Sequence, residues 1–514
     1  MAVELNRDAA PLPTNHGGRA LLSVLIYSLL AAPLLAQTAP SVLIDWGKTT
    51  ANSTTATLQA VVNPMLRRGS PIHDASFAAL QRLGADYVRY AFWFPYPKLA
   101  VAELKPPSQN ETFWDFQYLD PLVEDFVQAS GSHPLVWSFS TIPEWMFATE
   151  KPVAYPEDPN LVQWDYSQGS ELRDLKALGD YYARLASWYS QGGFTDELGH
   201  FHASGHHYPI AYWEIFNEMD SEHTTTAEKY TERYDAVAQA VAKVAPGAKF
   251  VGLALEAPAD NPGMFEYFLD PRNHRPCIPL DYISFHFYTV PSRDQGIEQW
   301  QYTFFDQADR FIAVTRYIRQ IRNRLSPATK IVINEVGSIL TSDFDPADLG
   351  HIAHPIPAAY WNLSGALYAY LYVELARLGI DVIGESQLVG FPTQFPSVSM
   401  VDWRNGKPNA RFTVLELLKN NFQPGDAMAG TSVKNGPPGA ADGIEAQAFV
   451  RGPQRKLLLI NKRDREIAVE LPKDCLGAAV EMIGNGSAEL AHQSANDATL
   501  HLPPLSVSVV TLKN

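Results

Sequence analysis

Cysteine is almost missing from this chain. Cys277 and Cys475 are the only two in 514 residues, which excludes a disulfide framework and any zinc site built on paired thiols; both are read as ordinary thiols. An excess of basic charge is missing as well. The 40 Lys and Arg stand against 56 Asp and Glu, a net charge of -16, and no cluster of Lys or Arg departs from that balance. Nucleic acid and sulfated polyanions are thereby excluded as principal ligands. Internal repeats and low-complexity blocks are lacking, and beyond the N-terminal segment no apolar run reaches the roughly 20 residues that a spanning helix needs. A Gly-x-Gly-x-x-Gly after the first strand, the mark of a dinucleotide-binding open sheet, is absent too.

What is present begins with an export signal. Arg19 precedes an apolar segment, Ala20 to Leu35, broken by Pro33 and followed by Ala36-Gln37-Thr38. That layout predicts a signal peptide over residues 1–36, cleaved after Ala36, and a secreted or periplasmic product with no membrane association afterwards. A retained anchor is the alternative.

From Val42 to Gly384, runs rich in Val, Ile, Leu and aromatics alternate with helical patterns. The strand candidates are ATLQAVV, DYVRYAF, PLVWSFS, IAYWEIF, KFVGLALE, DYISFHFY, KIVINE and GIDVIGE. Near-continuous apolar character is expected where a parallel sheet is covered on both faces. Two of the intervening helical patterns end in Gly, at Gly84 and Gly379. Eight such units predict an α/β fold, a (β/α)8 TIM barrel, over residues 37–423. The texture then changes to short alternating strands after a Gly/Pro-rich connection, which predicts a β-sandwich accessory domain over 424–514. The stretch SVLIDWG, near 41–47, is expected to join it.

Chemistry concentrates at two strand ends. The apolar run AYWEIF breaks off at Asn217-Glu218, and KIVINE ends at Asn334-Glu335. A third Asn-Glu, Asn110-Glu111, sits in a polar stretch and is read as a solvated loop. Glu218 would end the fourth strand and Glu335 the seventh, so both would face the C-terminal rim of a barrel, where active sites form. Paired carboxylates without a metal are what glycoside hydrolysis needs: one donates a proton to the departing oxygen, and the other must stay ionised. Arg89, on the second strand, is the candidate cation beside the ionised group, because its charge is costly to bury without an acid.

WEIFNE, followed by FHFY and INE, resembles clan A of the glycoside hydrolases over roughly Trp46 to Phe422, most closely family thirty-nine, the β-xylosidase and α-L-iduronidase family. Phe216 and Met219 stand where that family has Trp and Pro. The resemblance implies a retaining hydrolase with Glu218 as acid/base, Glu335 as nucleophile and Asn217 on the sugar 2-hydroxyl, the two carboxyl groups about 5–5.5 Å apart. It further implies that His286 or Tyr288, at the end of the sixth strand, touches the nucleophile or the substrate. Trp145 and Trp403 are candidate stacking platforms for sugar, with ordinary packing as the alternative. His133 and the group His202, His206 and His207 precede their strands and belong at the other rim, so no catalytic metal and no cofactor is expected. The partner would be an oligosaccharide or polysaccharide-derived glycoside, with exo action on β-xylosides, α-L-arabinosides or related sugars. An endo-glycanase and a catalytically inactive carbohydrate-binding barrel are the rival readings.

Overall fold

The computed structural model describes residues 39–513, apart from 94, 152, 159–168, 349 and 435–440. The expected signal peptide lies outside the described residues. Among the described residues no helix is long and apolar enough to cross a membrane.

Eight parallel strands close into a barrel: β1 (Ala56–Val61), β2 (Tyr87–Ala91), β3 (Leu135–Ser138), β4 (Tyr212–Glu214), β5 (Lys249–Leu255), β6 (Tyr282–Thr289), β7 (Lys330–Ser338) and β8 (Val382–Glu385). Each is followed by a helix: α1 (His73–Leu83), α2 (Leu119–Ser130), α3 (Leu175–Ser190), α4 (Ala227–Val244), α5 (Pro262–Phe268), α6 (Ile297–Leu325), α7 (Ala358–Arg377) and α8 (Ala410–Asn421). The ring closes where β8 pairs with β1, Val382 opposite Ala56 and Glu385 opposite Gln59. This is the expected (β/α)8 fold, and the glycines read as helix ends serve as such. Gly84 caps α1 in the left-handed region at φ 55°. Gly379 follows α7 at φ 68°, a conformation that costs other residues a Cβ clash.

The barrel interior is layered, as expected for side chains that point inward from alternate positions of tilted strands. At the N-terminal end the strands supply an apolar plug. In it Tyr212 meets Tyr87 edge-on with ring centroids 5.4 Å apart, and Tyr282 at 5.6 Å. Above the plug the interior turns polar and charged, with Arg89, Glu214, Ser284 and Asn334 all buried. A sealed floor beneath a charged layer leaves the C-terminal rim as the open end.

Of the remaining strands, two short ones, Gly193–Thr195 and Phe201–Ala203, pair with each other, and the other nine form a single sheet. Its first strand is Ser41–Asn52, which runs antiparallel to Ala427–Lys434, Ser41 opposite Lys434 and Asn52 opposite Ala427. The sheet curls so that Val469 and Leu502, near one edge, share a core with Leu457, Leu459, Val480 and Val510. The alternate residues Leu458, Ile460, Val507 and Val509 join the barrel's own core. Both faces of the central strands are therefore buried, which accounts for the unbroken apolar run KLLLIN. Polar contacts seal the same boundary: Arg377 of α7 pairs with Glu445 at 2.8 Å, and Thr413 of α8 donates to the Ala488 carbonyl at 2.7 Å. Cys277 is exposed and Cys475 buried, and they are not bonded to each other.

This packing makes the sheet part of the barrel's stability. Leu458→Ala, at a fully buried position, should cost about 3 kcal/mol, read as a lowered urea midpoint. Leu43→Ala, at a position 47% exposed, should change stability by no more than about 0.5 kcal/mol. Equal effects of the two would mean that the sheet does not support the barrel.

Candidate active site

The site is assembled around Arg89, which is fully buried in the middle of β2. Its Nε donates to Glu214 Oε2 at 2.6 Å, its Nη1 to Glu335 Oε1 at 2.5 Å and its Nη2 to Asn217 Oδ1 at 2.6 Å. Burial alone would lower the proton affinity of this guanidinium. The facing charges of Glu214 and Glu335 outweigh that and raise it, so the cation is fixed.

Two backbone irregularities bring the acids to it. In β7 the register against β6 slips by one residue: Ile333 faces Phe285, and Glu335 faces His286. Neighbours on a regular strand point to opposite faces, but a bulge places one extra residue and lets both turn inward. Asn334 Nδ2 accordingly reaches Glu214 Oε1 at 2.5 Å, while Glu335 meets Arg89. The fourth strand ends earlier than its apolar run suggests. It stops at Glu214, after which Phe216 and Glu218 adopt left-handed conformations, φ 67° and 41°. Such geometry is unfavourable for residues with a Cβ and persists only where the surroundings hold it. Here the Glu218 N–H is tied to the Ala254 carbonyl at 2.9 Å, and the turn lifts Glu218 to the rim.

The sixth strand completes the set with its inward-facing residues. His286 Nδ1 lies 2.6 Å from Glu218 Oε1 and 3.7 Å from Glu335 Oε2. The Tyr288 hydroxyl donates to Glu335 Oε2 at 2.5 Å and lies 2.6 Å from Ser386 Oγ. These surroundings separate the two carboxyl groups chemically. Burial is the main influence on Glu218 and pushes it up to about 7, against the opposing His286 hydrogen bond. Burial would raise Glu335 too, but the charges of His286 and Arg89 and the hydrogen bonds from Tyr288 and Arg89 overcome it and leave its pKa lowered. At neutral pH one acid shares a proton with His286 and the other is an anion. The Tyr288 hydroxyl, held well above its usual range first by burial and then by the Glu335 charge, keeps its proton.

Glu218, His286 and Glu335 are, among the described residues, the grouping compact enough to offer ligands to a metal, one atom from each lying within 4.8 Å of the others. Both Glu335 oxygens are already engaged by Arg89 and Tyr288, and a guanidinium against the carboxylate repels a divalent cation. The donor set suits a shared proton better.

The acids open into a cavity of about 250 Å³. Its walls include Trp93 and Phe395, whose ring centroids are 6.4 Å apart, and Glu222, Glu256, Gln387 and Gln394. Gln394 is 3% exposed, and neither its amide oxygen nor its nitrogen has a partner; the Gln387 oxygen also lacks one. Among the described residues, no side chain from the nine-stranded sheet lines the cavity.

The structure thus brings together Glu218, Glu335, Asn217, Arg89, His286 and Tyr288. It does not bring in the two expected platforms. Trp145 turns its indole N–H to the Glu103 carbonyl at 3.0 Å and packs between loops. Trp403 sits in a separate groove with Trp361, edge-on to Phe391 and covered by Arg404 at 5.3 Å. Among the described residues, the aromatic wall is instead formed by Trp93, directly after β2, and Phe395, in the loop after β8. Two further acids join the site: Glu214 lies within WEIFNE, and Glu222 lies four residues beyond it. Glu214 has the parity of an inward residue on β4, a legible signal; nothing in the sequence marks Gln387, Gln394 or Phe395. His133 lies by Gly84 at the opposite rim. His202 pairs with Asp196 at 2.9 Å and His206 lies 3.6 Å from Asp120, away from the cavity.

No protein-family profile matches the chain, and no curated protein is found to be similar. Solved structures are. A family 51 α-L-arabinofuranosidase from Bifidobacterium longum superposes with a TM-score of 0.61 at 14% identity, over 92% of this chain and 99% of that one. The GH51 arabinofuranosidase from Xanthomonas axonopodis pv. citri gives 0.60 at 12%, over 92% and 100%. A glucosidase from Croceicoccus marinus gives 0.58 at 15%, over 93% and 99%. At such identities the likeness establishes the fold: a TIM barrel with an appended β-sandwich is shared over nearly the full length of each.

The charge arrangement can be measured without a substrate. In protein with ¹³C-labelled glutamate, the Glu218 carboxyl should titrate near pH 7 and Glu335 below the usual glutamate range. In Glu335→Gln the neighbouring negative charge is gone, so the Glu218 midpoint should fall. A Glu218 that titrates near 4.3 in the wild-type protein would contradict the geometry.

Proposed function

We propose that this chain is a glycoside hydrolase that works with retention of configuration through a covalent glycosyl-enzyme. The observation that carries the proposal is the facing pair Glu218 and Glu335, with an oxygen of one within 4.8 Å of an oxygen of the other and proton affinities driven apart. An inverting enzyme keeps its carboxyl groups about 6.5–9.5 Å apart to admit water between them. The shorter gap here supports direct attack by one of them.

In this reading Glu335, held anionic by Arg89, attacks the anomeric carbon while Glu218 passes its proton to the departing glycosidic oxygen. The C–O bond breaks as the Glu335–carbon bond forms. Glu218, now ionised beside His286, then takes a proton from water as that water displaces Glu335. Tyr288 and Arg89 hold both Glu335 oxygens, so the carboxylate cannot rotate between steps. Asn217, gripped by Arg89 at its oxygen, presents its amide N–H to the hydroxyl beside the reacting carbon. The unpartnered amide oxygen of Gln387 and the unpartnered amide of Gln394 suit a ligand rich in hydroxyl groups, since a buried polar atom left unpaired costs about 1–3 kcal/mol.

The cavity also limits the substrate. Glu218, Glu222, Glu256 and Glu335 line it and, among the described residues, no Lys or Arg does; Arg89 lies beneath, with each of its nitrogens already engaged. We therefore assign it to an uncharged sugar and not to a uronide, which sets the α-L-iduronidase branch of the family thirty-nine resemblance aside. The small volume of the cavity, about 250 Å³, favours exo action over a long-chain cleft. Solved structures of this fold include α-L-arabinofuranosidases, a glucosidase and a GH30 endoxylanase from Clostridium papyrosolvens, so a β-xyloside or α-L-arabinoside remains the substrate of first choice. Export through the N-terminal signal is part of the same proposal.

A panel of nitrophenyl glycosides tests the reading, and an inactive binding barrel would hydrolyse none. On an alkyl glycoside, kcat/KM should fall as pH rises through about 7, because Glu218 is protonated below that value and lost as an acid above it. Glu335→Ala should lose several orders of magnitude with every leaving group. Glu218→Ala should still react with an activated nitrophenyl glycoside and then stall, because no base activates water. Azide should rescue it and give a glycosyl azide of retained configuration, and the Glu335 variant should give the inverted azide. Opposite products would reverse the two roles.

A further inference from the structure

Glu222 takes no part in the double displacement, yet its placement is more determined than that of most residues in the cavity wall. A turn tied by its own N–H to the Glu218 carbonyl at 2.8 Å folds it back over the site, where it is 4% exposed. Its Oε1 accepts two hydrogen bonds, from the Trp93 indole N–H and from Asn217 Nδ2, the latter at 3.2 Å. Its Oε2 is buried with no partner, although the residue lines the cavity. Burial, and then the nearby Glu218 charge, hold this carboxyl well above the usual range. With Oε1 occupied by two donors, the proton belongs on Oε2. A residue of the cavity wall therefore carries an O–H donor with no acceptor from the protein.

Its neighbour shows what the donor is for. Asn217 is gripped at both ends, its oxygen by Arg89 and one amide hydrogen by Glu222, which leaves the other amide hydrogen for the sugar. Glu222 lies on the far side of that amide from Arg89. We propose that Glu222 is a specificity-determining residue that donates from Oε2 to a ring hydroxyl one carbon further from the reacting centre than the hydroxyl met by Asn217. The proposal rests on the glycosidase reading above. A neutral acid at this place accepts a hydroxyl oxygen and gives nothing to a sugar that lacks it, so absence of that hydroxyl leaves a buried donor unpaired.

The test crosses enzyme variants with substrate variants. The probes are para-nitrophenyl β-D-xylopyranoside and para-nitrophenyl α-L-arabinofuranoside, each with its analogue deoxygenated at that ring position. Wild-type enzyme should prefer the parent over the deoxy compound by about 30-fold in kcat/KM. Glu222→Ala should react with the two within about threefold. Glu222→Gln, whose amide can accept from Trp93 and Asn217 and still donate, should keep the preference. A purely structural role would slow both substrates together and leave their ratio unchanged, and that result would overturn the proposal. So would retention of the preference in Glu222→Ala, or tighter binding of an amino-sugar glycoside by wild-type enzyme than by Glu222→Gln, which would make Glu222 an anion. Should Glu222→Ala fail to fold, Glu222→Met keeps the volume without the donor and carries the same expectation. If wild-type enzyme hydrolyses no glycoside, the same ratios are read as binding constants from isothermal titration calorimetry. A preference lost in Glu222→Ala then upholds the recognition role while the hydrolase reading fails.

Discussion

The cation in the middle of the barrel is the constraint on which the rest depends. A guanidinium cannot shed its proton inside a protein, so a buried Arg89 must be matched by acids or the fold does not form. Glu214 supplies one match from β4, and Glu335 supplies the other from β7. The cost of burying that charge is met only when strands two, four and seven are in register, so correct closure of the barrel and correct assembly of the site are one event. The same pairing holds Glu335 as an anion, and the anion in turn helps keep a proton on Glu218. The split in proton affinity between two chemically identical side chains follows from which of them touches the arginine.

Regular strands would not have delivered these groups. On an unbroken β7, Asn334 and Glu335 would point to opposite faces, one into the barrel and one among the helices. The extra residue in the register against β6 turns both inward. At β4 the solution is different. The strand is abandoned after Glu214, and two left-handed residues carry the chain up to the rim. Irregularity is concentrated where chemistry is needed, while the N-terminal plug of tyrosines and aliphatic residues stays regular. The curled sheet does its part at a distance, by covering the outer faces of α7 and α8 so that the loop after β8, with Ser386, Gln387, Gln394 and Phe395, is held in place.

The cavity's recognition groups share one property. Glu222, Gln387 and Gln394 hold buried polar atoms that the protein itself leaves unpaired, and they surround the two acids on several sides. On the proposed reading, a neutral carboxyl and two amides are read by hydroxyl groups and not by charge, which suits the uncharged, polyhydroxylated ligand assigned above.

Much of this was legible in the sequence, for definite reasons. The eight strands announced themselves because both faces of each are buried and their runs are apolar almost without interruption. Their order placed Glu218 and Glu335 at one rim, and Arg89, an isolated cation in an apolar strand, needed an acid wherever the barrel put one. His286 and Tyr288, two apart on a strand, had to share a face. What the sequence could not decide was contact across loops. Trp145 and Trp403 have the residue type of a sugar platform but face other surroundings, while Trp93 and Phe395 line the cavity because of where their loops turn. The bulge in β7 and the left-handed turn before Glu218 carry no composition signal, since each is imposed by neighbouring strands and by the hydrogen bond to Ala254. Local pattern determined which residues would be strands and which strand ends would meet; only the folded chain, by choosing which buried polar atoms are satisfied and which are left for a ligand, decided what surrounds the two acids.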